Sequence, residues 1–559
     1  MARVPLYMRP APDWEPHERP TMPGSPAMPS HRLRTRIAYA LVALLVGITG
    51  GLGNAMVTVN LAAFQGHLGL TPIEGAWLPA AYLMVNMSAN LLLLKFRQQF
   101  GLRLYAEIGL ALYAALTISY LFVQSLPMAI FVRAASGFAG ATTTTLCVLY
   151  MLQAAPREHI VKTLVIGMGI SQLAVPLAWI LSPALLDMGD WSRLYAFEAG
   201  LALCALAAVV VLKLPPGQHV KAFEPLDFVT FALLMPALAL LAAVLAQGRL
   251  QWWTEAPWLA WALVASVLLF SLSFYIEHHR ATPLLQTRWL GTADTLRFAF
   301  GAIAMRFILA EQNYGAVGLM QALGMGGDQL RLLYVLILLG LIAGLLTSAF
   351  TFGPAAGNRL ILASILLIAG GAFLDAHASN LTRPVNLLLS QTMLAFAGGL
   401  FLGPMLLSGV TKALANGPNY LVSFIVLFSI TQSLGGLAGS AVFGTYQTAR
   451  QTYHVQRLAE QLSPTEPLVA QRVQAQAQRY AGGTPDPGRR ERQGTTQLAQ
   501  TVVREATVLA YNDVFRLIGA FAIAVFTWTY FHSWRDRRRA AAAAASPAAT
   551  ADASTTTSS

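Results

Sequence analysis

The chain is 559 residues long, 56% hydrophobic and only 11% charged, with a formal net charge of +12 from 37 basic and 25 acidic side chains. Soluble proteins carry roughly 25% charged residues, so a soluble enzyme, a DNA-binding protein and a fibrous protein are excluded. The basic excess is not read as a nucleic-acid surface, because apolar runs able to cross a ~30 Å hydrocarbon core recur from about residue 37 to residue 534. The composition describes an all-α polytopic membrane protein.

Residues 1–36 are rich in proline and end in His31, Arg32, Arg34 and Arg36. They lack a short apolar core followed by a small-residue cleavage site, so they are predicted to be a retained, disordered tail. About fourteen spans follow, at 37–63, 73–94, 103–123, 126–153, 160–185, 192–214, 226–247, 256–277, 295–320, 329–352, 357–376, 384–411, 419–446 and 514–534. Cys147 and Cys204 both fall in apolar runs and read as small core residues, with no metal site or disulfide framework. The Ala/Thr/Ser stretch 535–559 is predicted to be a second disordered tail.

An even number of crossings puts both tails on one side, and the basic residues choose it. Lys95, Arg97 and Arg103 follow span 2, Arg157 and Lys162 follow span 4, and Lys213 and Lys221 follow span 6; Arg280, Arg288, Arg297, Arg359 and Lys412 continue the pattern after spans 8, 10 and 12. The loop Gln65–Pro72 on the other side has neither Lys nor Arg. Lys and Arg concentrate on cytoplasmic loops, so both termini are expected to be cytoplasmic. One external connection is long. Residues 447–513 carry helix-like stretches (Thr448–Gln461, Pro467–Tyr480, Thr496–Asn512) around a Gly/Pro break at 482–488, with Val469, Val473, Gln476 and Tyr480 on one side of a helix. Either a small cap packing on itself or a docking surface for a partner fits that pattern.

Ionisable groups inside spans are costly and face a cavity or each other. Arg133, Glu198, Arg306 and Glu311 stand out, two bases that stay charged and two acids that can take up a proton. The structural reading pairs Arg133 with Glu198 and Arg306 with Glu311 or a carbonyl; the functional reading makes Glu311 or Glu198 a proton-coupling carboxyl, with Arg133 and Arg306 as structural or coupling charges. Glu107 and Asp375 lie close enough to span ends to be interface anchors. Amides in lipid need partners, so Asn54, Asn86, Gln172, Gln312, Asn313 and Gln432 are expected to point inward, and with Tyr82 and Tyr314 they are the substrate-cavity candidates. No catalytic or metal motif (HExxH, GxSxG or a P-loop) is present and no cofactor is implied; energy must come from an ion gradient or another chain.

Four segments give the pattern a family likeness. Gly75-Ala76-Trp77-Leu78-Pro79-Ala80-Ala81-Tyr82 opens span 2, Arg133-Ala134-Ala135-Ser136-Gly137 lies in span 4, Trp191-Ser192-Arg193-Leu194-Tyr195-Ala196-Phe197-Glu198 enters span 6, and a large external loop ends at Ala510-Tyr511-Asn512-Asp513. Over about residues 37–534 the chain resembles the fourteen-span drug:proton antiporters of the major facilitator superfamily, the EmrB/QacA-like branch. The departures are equally specific. The first span has no acid near Ala55, the loop after span 2 keeps only Gly101 and Arg103 of the family's charged motif, the span 5 antiporter motif is replaced around Ala178–Pro183, and Glu198 stands where an Asn is usual.

The resemblance implies a major facilitator fold: an N-terminal six-helix bundle (37–214), two inserted helices with flanking loops (215–290), and a C-terminal six-helix bundle (291–534) including the external loop. It further implies a bacterial inner-membrane exporter of hydrophobic or amphipathic small molecules driven by protons, working in the lipid bilayer with a periplasmic membrane-fusion adaptor and an outer-membrane channel, and not an enzyme. A proton-coupled or facilitative uptake carrier and a non-transporting envelope scaffold remain the alternatives.

Overall fold

The computed structural model describes residues 13–20, 22–186, 191–351, 356–417, 420–462, 466–479 and 486–545, the side chains of 539–545 excepted. Among the described residues, thirteen helices are long and apolar enough to cross a membrane. Six belong to the first half: α1 (Leu33–Val59), α2 (Trp77–Phe100), α3 (Leu102–Ser119), α4 (Leu126–Gln153), α5 (Arg157–Leu185, with a tight turn at Ser171–Leu173) and α6 (Ser192–Val211). A hairpin of α7 (Pro225–Gln247) and α8 (Pro257–His279) follows. The second half holds α9 (residues 293–322), α10 (Gly327–Thr351), α11 (Gly357–Asp375), α12 (Leu388–Asn416), α13 (Tyr420–Glu460), the short α14 (Pro467–Gln478) and α15 (Pro487–Ala545). α9 is the run missing from the thirteen. It consists of Ala293–Ile308 and Val317–Ala322 joined through a π turn, Glu311–Ala316, so neither piece is long enough alone. With it, the described residues hold fourteen long helical runs, matching the fourteen apolar runs of the sequence.

Small residues set the closest helix approaches. A Cβ on Gly137 of α4 would meet the Tyr82 carbonyl of α2, and one on Gly399 of α12 would lie 2.6 Å from the Leu341 carbonyl of α10. Polar backbone is satisfied within each helix, so in lipid such interlocking rather than apolar burial holds the helices together.

The α7–α8 hairpin is pinned at one end by buried charge. Asp227, fully buried, accepts from Lys95 Nζ of α2 at 2.5 Å and from Arg280 at 2.9 Å; Arg280 also reaches Glu277 (2.7 Å) and Glu224 (2.9 Å). Hydrogen bonds from Thr282 and Arg280 hold Glu224, outside the spans, below the ordinary carboxylate range. On its other flank the amide of Gln286, just past the hairpin, donates to Ser423 Oγ of α13 (2.9 Å), so the hairpin leans on both halves.

The structure corrects two expectations, both at the tails. Residues 22–36, placed in a disordered tail, are ordered: α1 begins at Leu33, and Pro26 pairs with Gly217, Gln153 of α4 donates to the Ala27 carbonyl (3.0 Å), and Ala27 is buried. The prolines leave an extended backbone whose polar groups find partners on the 6–7 linker. Residues 1–12 of that tail lie outside the described residues. At the other end α15 continues through Ala545, since a run of alanines is the best helix former; 546–559 lie outside the described residues. Among the described residues, 447–513 are helical as the sequence pattern predicts, in the form of extensions of two spans with a short helix packed against one of them. α13 continues to Glu460, a 41-residue helix about 60 Å long at ~1.5 Å per residue, and α15 begins at Pro487. The two extensions are tied by Asp513, which accepts from Arg450 (2.6 Å) and His454 (2.7 Å), and by Gln451 to Thr507 (2.9 Å). Of the predicted stripe, Val469 is buried, Val473 and Gln476 are half-buried, and a Cβ on Gly494 of α15 would press on the Val473 carbonyl, so the stripe faces α15. Tyr480 and most of the Gly/Pro break lie outside the described residues.

Candidate functional site

A cavity of about 100 Å³ lies between the halves, walled by α5, α9, α10, α12 and α13. Its polar lining comes from Gln172, Gln312, Asn313 and Gln432, four of the amides expected to point inward, and from Arg306, expected as a structural or coupling charge; its apolar wall includes Tyr334, Leu341, Leu394 and Phe401. Two breaks in the helical ladder place the polar groups. Gln172 sits in the tight turn of α5, and Gln312 and Asn313 sit in the π turn of α9. Interrupted backbone at membrane depth is tolerated where it lines a cavity, and π turns recur at functional sites.

The halves touch on both sides of this space. Toward one end of α5, Gly169 meets Leu345 of α10; toward the other, Trp179 stacks on Tyr334 with ring centres 4.9 Å apart. Both contacts join helices of opposite halves, so movement of one half against the other must break one or the other.

Behind the cavity wall lies a carboxyl pair. Glu311, at the head of the π turn, and Asp375, at the end of α11, are both buried, and Nε2 of Gln391 on α12 donates to Glu311 (3.0 and 3.3 Å) and to Asp375 (2.7 Å). Among the described residues no Arg, Lys or His forms an ion pair with either. Gln312, in the cavity, donates to the Gln391 carbonyl at 3.2 Å, which links the two layers. Asp375, expected as an interface anchor from its place near a span end, is buried against Gln391, because α11 packs so that its last turn faces α12. Glu107 does pair near the surface, with Arg103 at 2.8 Å.

Arg133 makes no ion pair with Glu198. Its guanidinium, 1% exposed, donates to Asn54 Oδ1 (2.5 Å), the Gly53 carbonyl (2.9 Å), the Leu78 carbonyl (3.2 Å) and the Tyr120 hydroxyl (3.3 Å), and lies 4.9 Å from the centre of the Tyr82 ring. Asn54 and Tyr82, expected at the cavity, therefore serve Arg133, and Asn86 donates to the Gly137 carbonyl (2.9 Å) in the α2–α4 packing. Tyr314 turns away from the cavity to accept from Arg249 at 3.0 Å. Glu198 is 3% exposed and neither carboxyl oxygen has a hydrogen-bond partner among the described residues. Arg306 donates to the Gln432 carbonyl (3.4 Å) and to Gln172 (3.5 Å), and not to Glu311.

The model of the Major Facilitator Superfamily matches residues 43–440, and the chain belongs to that family of transporters. No curated protein matches the sequence. Two solved structures share the fold: the human organic anion transporter MFSD10 (TETRAN), 14% identical with a TM-score of 0.52, covering 88% of this chain and 100% of that one, and a double tryptophan mutant of XylE, the xylose transporter from E. coli, 14% identical with a TM-score of 0.51, covering 89% and 95%. At that identity the likeness concerns the fold alone.

Proposed function

We propose that this member of the major facilitator superfamily is a secondary active transporter of the drug:proton antiporter branch, exporting hydrophobic or amphipathic small molecules across a bacterial inner membrane, with both termini cytoplasmic. The observation that carries the reading is the layered site: a mixed polar and apolar cavity between the halves, backed by two buried carboxyls that share one amide. Two carboxylates in a low-dielectric interior repel each other, so the pair is suited to holding one proton and releasing it when the local geometry changes. Gln312 couples that change to whatever fills the cavity. The first span offers no acid, which leaves Glu311 with Asp375 as the proton site and Glu198 as a secondary candidate.

Accumulation of a panel of amphipathic fluorescent dyes in expressing cells, with and without the proton gradient, tests the assignment. Export predicts that collapsing the gradient raises dye retention in expressing cells relative to controls. A fall in retention would make the chain an uptake carrier, and identical retention across the panel would fit an envelope scaffold.

The paired extensions of α13 and α15 project beyond the ~30 Å core, which supports contact with a periplasmic adaptor and, through it, an outer-membrane channel. Replacing residues 461–494 with a short Gly/Ser linker is then expected to leave transport in vesicles intact while removing export-based resistance in cells. Equal loss in both assays would restrict the extension to holding the fold.

A further inference from the structure

We propose that the cavity takes an organic anion, an amphipathic molecule whose carboxylate, sulfonate or phosphate group sits on Arg306 while its hydrocarbon body lies against Tyr334, Phe401 and Leu341. The proposal rests on the transporter reading above and names the substrate class of that same site.

Two mid-span arginines differ in burial and in partners: Arg133 is buried, whereas Arg306 is half-buried at the cavity. Arg133 makes four hydrogen bonds to protein acceptors at 2.5–3.3 Å and is 1% exposed. Arg306 faces the cavity and has two hydrogen bonds, of 3.4 and 3.5 Å, both at the long limit for such a bond. A guanidinium presents five donors, so most of its capacity is unspent. No carboxylate forms an ion pair with it among the described residues, and it is the one charged side chain among those lining the cavity. The nearest acid along α9, Glu311, is turned to Gln391 and Asp375. Nε2 of Gln432, another lining residue, is a buried donor with no hydrogen-bond partner among the described residues.

A desolvated cation with no counter-ion is expensive in a membrane interior. An anionic ligand would supply the missing charge and accept from both donors, and charge-assisted bonds to a guanidinium are short and strong. A cationic ligand would meet a like charge with no acid in the lining to offset it.

Three probes of matched shape separate the possibilities: 2-naphthoate, 2-naphthylmethanol and 2-naphthylmethylammonium, with binding to the purified full chain in detergent measured by displacement of tritiated 2-naphthoate and, for the other two, by direct binding of their tritiated forms. The anion should bind at least about tenfold more tightly than the ammonium, the scale of one charge-assisted interaction. Arg306→Gln should erase that preference while leaving naphthylmethanol binding within about twofold, and Arg306→Lys should restore part of it, less than arginine because an ammonium is a point donor. Gln432→Glu, which places a carboxylate in the cavity, should also remove the preference and serves if the Arg306 variants do not elute as folded protein. Equal or tighter binding of the ammonium by the unmutated chain overturns the proposal, as does a preference that survives both Arg306→Gln and Gln432→Glu. Anion binding without gradient-driven transport would instead refute the transporter assignment, and gradient-driven export of cations alone would leave that assignment standing and remove the anion.

Discussion

Arg133→Ala is expected to abolish transport and to lower the unfolding temperature of the purified chain. The guanidinium joins three helices: it reaches Gly53 and Asn54 on α1 and Leu78 on α2 from its own α4, and it covers the Tyr82 ring. Truncation leaves a cavity of nearly a whole side chain and strips buried acceptors of their donor, a loss on the order of 3 kcal/mol or more. Arg133→Lys should recover stability only in part, because a single ammonium cannot serve α1 and α2 at once. Charge compensation alone is not the reason, since no carboxylate bonds to the fork. Intrinsic-fluorescence melting and transport in proteoliposomes, measured on the same preparation, check both halves of the expectation. A well-expressed Arg133→Ala chain that melts and transports like the parent would show that the three-helix junction is dispensable.

The second large effect is expected at the carboxyl pair. Glu311→Gln keeps the volume and can still accept from Gln391 but cannot exchange a proton, so it should bind substrate, retain equilibrium exchange across the membrane, and lose accumulation driven by a pH gradient down to the level of empty vesicles. Asp375→Asn should do the same. The double variant should be no worse than either single one, because residues that act as a unit are not additive. Glu198→Gln is expected to keep coupling, since Glu198 sits on α6, away from the cavity lining. Proteoliposomes with an imposed pH gradient and a counterflow assay separate coupling from binding. If Glu311→Gln and Asp375→Asn pump with the parent's pH dependence, the proton is carried elsewhere, and Glu198→Gln becomes the decisive variant.

These expectations draw unequally on sequence and structure. The lengths of the apolar runs and the positions of Arg133, Glu198, Arg306 and Glu311 within them could be read from the chain, because hydrocarbon thickness fixes how many residues a crossing needs and a helix rises ~1.5 Å per residue. Depth is therefore a one-dimensional quantity. The inward orientation of Gln172, Gln312, Asn313 and Gln432 was legible for a related reason: an amide facing lipid has no partner.

Which side chains meet was decided by tertiary structure alone. Contact depends on the rotation of each helix about its axis and on its neighbours, and several helices here have apolar residues on nearly every side, so their sequences carry little record of which face turns inward. Asp375 illustrates the point: its position near the end of α11 gives its depth, but only the packing of α11 against α12 brings it to Gln391 and so to Glu311, 64 positions earlier in the chain. Asn54 and Tyr82 share their depth with Arg133, and rotation turns them to that guanidinium instead of to the cavity. The π turn at Glu311–Ala316 adds a local twist that no spacing rule anticipates; it sends Glu311 behind the wall and Gln312 into the cavity, one residue apart. Sequence by itself determined the membrane class and the long apolar runs; the tertiary structure decided the partners, because only packing fixes the rotation of a helix in a solvent that is apolar on every side.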